Sequence, residues 1–365
     1  MQSKLKNKKG VIILDTFLTI LSGIGIVVGI ILVLVSICFL AVSAMYESVF
    51  GKRFEIYDSP LLPDFKDYPE LESEPVSFPS KKGYKHSGTI YYYKDVPKFK
   101  GLIVFSHGIF DGQLNYLPEI DYFAKRGYKI FGFDNTGSHL SGGKSLRGLP
   151  QSAEDLDTAL DYVTRVVNAE EKLPLFLFGH SWGGYAVSAV SCYNQYDIKG
   201  VFVQSGFNRC CDMLVADAVR RFGKYMLALT PYIRIYERIK FGKAANYTAA
   251  QGIAKATAKG TRFLILHSLD DKSISLTNSV LSNVIKNDNI TLITEKHKGH
   301  NSLDSDKAIK YKKKLDDKCY DELGKKPTNS AKRDFYQKNA DKKTYFEIDY
   351  RLMKIIADFY EAGCR

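Results

Sequence analysis

The stretch Leu173 to Cys192 reads LPLFLFGHSWGGYAVSAVSC. A short apolar run ends at Gly179, and a serine at 181 follows between two bulky residues. Gly183 and Gly184 come next, and then small and apolar residues. This pattern predicts a buried strand, a sharp turn and a closely packed helix, with Ser181 at the turn. A serine there takes a backbone conformation that side chains avoid, and glycines let neighbouring backbone approach. The turn lifts the hydroxyl out of the sheet, at a helix N-terminus that favours developing negative charge. A chain organised around such a turn needs a mostly parallel sheet with helices on both faces. Its chemistry then belongs at the carboxyl ends of the strands.

The flanking sequence tests that requirement. Strands are predicted at 87–94, 101–106, 129–134, 173–178, 199–204, 262–268 and 289–295. Helices are predicted at 117–126, 152–170 (capped by Ser152), 277–285 and 345–360. After 101–106 comes His107-Gly108-Ile109-Phe110. A His-Gly turn there directs the backbone N–H of Ile109 into the site. With the N–H of Trp182 it makes a two-donor oxyanion hole. Asp270 and Asp271 follow 262–268, and the loop after 289–295 carries His297 and His300. The order Ser, Asp, His suits nucleophilic catalysis. A serine hydroxyl needs a base, neutral imidazole serves near pH 7, and a carboxylate fixes the imidazole tautomer. His300 is preferred to His297 because it follows Gly299 and precedes Asn301-Ser302-Leu303.

At this point the chain resembles the α/β-hydrolase superfamily. Within it, the chain is similar to bacterial monoacylglycerol-lipase, lysophospholipase and serine-aminopeptidase-like hydrolases. The resemblance rests on Ser106-His107-Gly108, Phe133 to Gly143, Gly179-His180-Ser181-Trp182-Gly183-Gly184, Asp271 and Gly299-His300. It spans about 76–303 and the final helix. Asp271 is preferred to Asp270 because its spacing to Ile274 resembles a G-x-x-D-x-x-V turn, with Ser268 in place of the glycine. In the loop resembling D-x-R-G-H-G-x-S-x-G, Thr136, Ser138 and His139 replace Arg, His and Gly. The resemblance implies an α/β-hydrolase fold with a helical cap over about 207–259. It implies a Ser181–His300–Asp271 triad with Ile109 and Trp182 as oxyanion donors, acting on an acyl ester or lipid without cofactor or metal. A proline-iminopeptidase-like activity is the alternative. It would need cap carboxylates, for which Asp212, Asp217 and Glu237 are available. A non-catalytic surface receptor on the same scaffold is a third reading.

The N-terminus lies outside the resemblance. Phe17 to Tyr46 holds no charged residue, and Lys4, Lys6, Lys8 and Lys9 precede it. This run exceeds the roughly 20 residues that cross a bilayer and the 7–15 of a cleavable signal core. The expected organisation is a cytoplasmic N-terminus and single membrane anchor at 1–46, then a tether at 47–75. A catalytic domain at 76–365 follows, outside the cytoplasm. Residues 304–343 form a lysine-rich insertion. Gly25-x-x-x-Gly29 permits close helix packing, but tolerated glycines leave the same pattern, so no oligomeric state is assigned. The net charge of +12 is dispersed, without a nucleic-acid motif. Six cysteines follow no zinc spacing and are too sparse for a disulfide framework.

Overall fold

The computed structural model describes residues 2–55 and 59–364, with side chains from Asp15 onward. Eight strands form one sheet in the order β1-β2-β4-β3-β5-β6-β7-β8. They are β1 (Glu72–Pro79), β2 (Lys85–Tyr92), β3 (Gly101–Ser106), β4 (Tyr128–Phe133), β5 (Leu175–His180), β6 (Ile198–Gln204), β7 (Arg262–Ser268) and β8 (Ile290–Glu295). The β1–β2 and β2–β4 pairs are antiparallel, and every pair from β4 to β8 is parallel. The helices are α1 (Gln2–Phe50), α2 (Leu117–Ala124), α3 (Gln151–Tyr162), α4 (Trp182–Ala189), α5 (Cys210–Phe222) and α6 (Thr230–Phe241). They continue with α7 (Ala249–Thr257), α8 (Val280–Asn283), α9 (Asp306–Leu323), α10 (Asn329–Asn339), α11 (Lys342–Tyr345) and α12 (Tyr350–Glu361). This is the α/β-hydrolase fold.

Alternation along the strands feeds two cores. Leu175 and Leu177 of β5 join Leu156, Leu160, Trp182, Tyr185 and Ile253 on one face. Phe176 and Phe178 join Leu117, Phe123, Ile356 and Tyr360 on the other. Both faces of β5 are covered, which is why its sequence is an unbroken apolar run.

Several elements differ from the sequence reading. The helix expected at 152–170 starts at Gln151 after Pro150, ends at Tyr162, and continues as a π turn at Val163–Val167. Ser152 is not its cap; its hydroxyl lies within the helix and bonds the Leu149 and Trp182 carbonyls. The helix expected at 277–285 is only the single-turn α8, and the closing helix begins at Tyr350. Residues 47–75 hold the last turn of α1 and the start of β1. Pro75 and Pro79 hid β1, but an edge strand tolerates residues that donate no ladder bond. After α1 the chain docks on the 137–143 loop. Arg53 donates to the carbonyls of His139, Ser141 and Gly143, and Phe54 exchanges backbone bonds with Gly137 and His139.

Between β6 and β7, α7 buries Ala249, Ile253 and Ala256 in the core. The projecting part of the 207–259 region is therefore α5 and α6. Asp15–Phe50 is long and apolar enough to cross a membrane, with mean hydropathy 3.1 over its best window. The side chains of the basic run at 4–9 lie outside the described residues. Among the described residues all six cysteines are free.

Candidate active site

Ser181 sits between β5 and α4 with φ 55° and ψ −111°, the strained geometry expected of the turn. Its N–H donates to the Gln204 carbonyl at 2.9 Å. Gly183 is required by packing, since a Cβ there would overlap the Ser106 carbonyl. This close approach holds Ser106 and His107, where β3 ends and its loop begins, against the start of α4.

The structure brings together the ends of β5, β7 and β8. Ser181 Oγ lies 2.9 Å from His300 Nε2. His300 Nδ1 lies 2.8 Å from Asp271 Oδ2. The other Asp271 oxygen accepts the N–H groups of Ser273 and Ile274 at 2.8 and 3.0 Å. Burial alone would raise the Asp271 pKa. The bond and charge of His300 and these two N–H donors outweigh it and hold the carboxyl below its usual range. Asp270 is turned elsewhere. It accepts from Ser268 Oγ at 2.6 Å and Gly299 N–H at 3.3 Å, bracing the loop that carries His300. His297 is exposed at φ 64°.

No hydrogen bond among the described residues occupies the backbone N–H of Ile109 or Trp182. The Trp182 indole donates to the Leu149 carbonyl at 2.6 Å and fixes the start of α4. His107 is fully buried, and burial depresses its pKa to about 3. As a neutral ring it donates to the Gly108 carbonyl from Nδ1 and accepts Asn135 N–H at Nε2.

Four neighbours escaped the sequence reading. Ser205, buried with φ 49°, donates to the His300 carbonyl at 2.8 Å. His180 Nε2 approaches the same carbonyl at 3.4 Å, and its Nδ1 lies 2.8 Å from the Tyr116 hydroxyl. Tyr116 in turn accepts Gly108 N–H at 3.0 Å, linking the β3 loop to His300. Ser268 holds Asp270. Only His180, inside the serine motif, and Ser268, at the glycine position of the Asp271 turn, carried any local signal.

A cleft of about 290 Å³ opens beside His180. Asp111, Asn115, Glu119, Gln204, Asp304 and Lys312 supply its polar wall. Lys312 pairs with Asp304 at 2.7 Å. Burial pushes Asp111 up to about 6 and Glu119 up to about 8. Gln204 lines the cleft while only 4% exposed. None of the apolar cap residues borders this cleft. The cap carboxylates do not converge on it either. Asp212 pairs with Arg209 and Arg234, Asp217 with Arg220 and Arg221, and Glu237 faces Tyr46.

Residues 97–255 match the family model described as serine aminopeptidase, S33. The match includes the Ser181 turn and ends before Asp271 and His300. No curated protein matches the chain by sequence. Among solved structures, the esterase Pf2001 of Pyrococcus furiosus is 17% identical and has a TM-score of 0.50. The match covers 70% of this chain and 92% of that one. Est1E of Butyrivibrio proteoclasticus, solved with ferulic acid bound, is 16% identical over 68% of this chain and 98% of that one, with a TM-score of 0.48. At 17% identity the likeness to Pf2001 speaks to fold alone. The fold and the family match together fit the chain to the α/β-hydrolase superfamily and support a hydrolase.

Proposed function

We propose that the chain is a membrane-anchored serine hydrolase that cleaves carboxylic esters, with lipid-like acyl esters as substrates. The observation that carries this reading is the continuous hydrogen-bonded path from Ser181 through His300 to Asp271, beside two unengaged backbone N–H groups. In this mechanism His300 takes the Ser181 proton as Oγ attacks the ester carbonyl. Asp271 stabilises the imidazolium. The N–H groups of Ile109 and Trp182 receive the oxyanion. His300 then protonates the departing alcohol, leaving an acyl-serine. Water, deprotonated by the same imidazole, hydrolyses it. No cofactor or metal enters these steps.

The apolar helix α1 supports a single uncleaved span, and the lysines before it favour a cytoplasmic N-terminus. A site tethered outside the membrane suits lipid-like substrates. One observation favours a second reading, an aminopeptidase. Beside the paired Asp304 and Lys312, the cleft near His180 carries the carboxyls of Asp111 and Glu119, and a bound ammonium would favour their charged forms.

The deciding experiment combines fluorophosphonate labelling with p-nitrophenyl esters of graded chain length and aminoacyl-naphthylamides. Labelling at Ser181 with turnover of medium or long esters is expected. Labelling with turnover of naphthylamides alone would favour the aminopeptidase. Absence of labelling would overturn both.

A further inference from the structure

Three of the five large apolar residues that the cap exposes lie at one end, and the other two, Ile235 and Ile239, lie further along α6. Phe222, Tyr225 and Leu227 are 52%, 71% and 56% exposed, and they lie where α5 ends and α6 begins. A soluble cap has no reason to crowd three large side chains at its tip.

Contacts with α1 show which way this tip points. Val42 of α1 is buried with Ile233, and Leu229 and Tyr232 pack against them. Further along α1, Tyr46 meets the Tyr236 ring at 5.1 Å, and Glu47 pairs with Lys240. Rising numbers in α1 thus match rising numbers in α6, and the two helices run alongside in the same direction. The beginning of α6 lies toward the apolar stretch of α1. Phe39 lies 5.9 Å from Tyr236, so the contact starts before Val42. At about 1.5 Å per residue, some 20 residues of α1 cover a hydrocarbon core of about 30 Å. Counted from Asp15, that crossing ends a few residues before Phe39. The α5–α6 turn therefore comes level with the place where α1 leaves the bilayer. Its surroundings suit an interface. Arg221, Lys224 and Arg234 are exposed near the tip, and Tyr225 and Tyr232 supply amphipathic rings.

We propose that the α5–α6 turn, from Phe222 to Leu229, enters the headgroup region of the same bilayer that α1 crosses. The cap then rests on the membrane at a second point. The Tyr236 and Lys240 contacts with α1 set its height, and substrate meets the cap at the lipid surface. This inference rests on the reading of α1 as a span, and its test separates the two.

The full chain is reconstituted in nanodiscs of phosphatidylcholine and phosphatidylglycerol, with or without bromine on the acyl chains. The native Trp182 is fully buried and supplies a constant background. Four reporters are compared: Leu227→Trp and Tyr225→Trp at the tip, Leu32→Trp within α1, and Tyr320→Trp on the exposed face of α9. Bromine should quench position 32 strongly, positions 227 and 225 by about half as much, and position 320 not at all. Quenching at 32 without quenching at 227 or 225 overturns the membrane-seated cap and leaves the span standing. Lack of quenching at 32 overturns the span and the cap proposal with it. Crosslinking of two chains through a Leu227→Cys variant, with no quenching there, would assign the tip to a second copy and overturn the proposal.

Discussion

Asp271 and Glu237 are both carboxylates removed from water, and the protein treats them in opposite ways. The Asp271 side chain is fully buried, and so is Glu237. Asp271 meets His300 and two backbone N–H donors, and its pKa is held below the usual range. Glu237 has the Tyr46 hydroxyl at 3.4 Å on one oxygen and, among the described residues, no partner on the other. Burial pushes it up to about 8. Equal burial gives a charged group in one place and a neutral one in the other, so the donors decide. The β7 corner is built to keep a charge. The joint between α1 and α6 is built to hide a carboxyl.

The sharpest way to break this comparison begins at the charged corner. Ser181→Ala should abolish fluorophosphonate labelling and lower turnover by at least about 10⁴-fold, with the circular dichroism spectrum unchanged. Labelling at the wild-type rate would end the assignment. Asp271→Asn should lower kcat by up to about 10⁴-fold, because the carboxylate no longer selects the imidazole tautomer. Asp270→Asn should act mainly on loop order and lose far less. If Asp270→Asn has the larger effect, the wrong aspartate has been placed beside His300.

A second contrast sets the backbone of the serine turn against the backbone at the end of α6. Gly183 is pressed against the Ser106 carbonyl, so Gly183→Ala forces strand and helix apart. A loss of about 3 kcal/mol or more is expected, read as a fall of roughly 6 °C or more in Tm in detergent. Gly242, at the end of α6, has φ 58° and nothing within 4 Å of a Cβ position. Gly242→Ala meets no neighbour and only backbone strain, about 2 kcal/mol at ψ −132°. Equal losses at both sites would mean that the turn is less tightly packed than the Cβ geometry indicates.

These regions also differ in how far the sequence revealed them. The parallel sheet was legible because its buried strands are unbroken apolar runs bounded by turns. Ser181, Asp271 and His300 stood out as candidates because each follows such a strand. Their supports did not, because Ser205 and Tyr116 act through contacts distant in sequence and carry no local pattern. Strand β1 was masked by prolines that only an edge position tolerates. The joint was least legible. Tyr46 belongs to an uncharged run that reads as membrane throughout, and nothing local marks its approach to Glu237, 191 residues away. Asp212, Asp217 and Glu237 looked available for an amine because a sequence cannot show that arginines or a tyrosine already face them.

The smallest effect expected is also the most direct measure of the opposition between the two carboxylates. A carboxyl whose folded pKa is raised binds its proton more tightly in the folded state than in the unfolded one. Its contribution to stability is complete at low pH and declines as pH rises from the ordinary value of 4.5 through about 8. The slope from one such group is at most about 1.4 kcal/mol per pH unit. Asp271 works the other way, since its contribution is present above the ordinary aspartate range and disappears as pH falls through the depressed value. Glu119, also raised by burial, adds a decline of the same sign as that of Glu237. The useful quantity is therefore the difference between wild type and Glu237→Gln, in which the Glu119 contribution cancels. A glutamine stays neutral at every pH and is close to the protonated carboxyl in shape. The two proteins should melt together near pH 5, and the variant should become progressively the more stable toward pH 8. The same comparison with Asp271→Asn should give a gap that stays constant from pH 5 to 8 and closes only on the acid side. Parallel melting curves for wild type and Glu237→Gln from pH 5 to 8 would mean that Glu237 is already ionised in the folded protein, and the contrast between the two regions would fail.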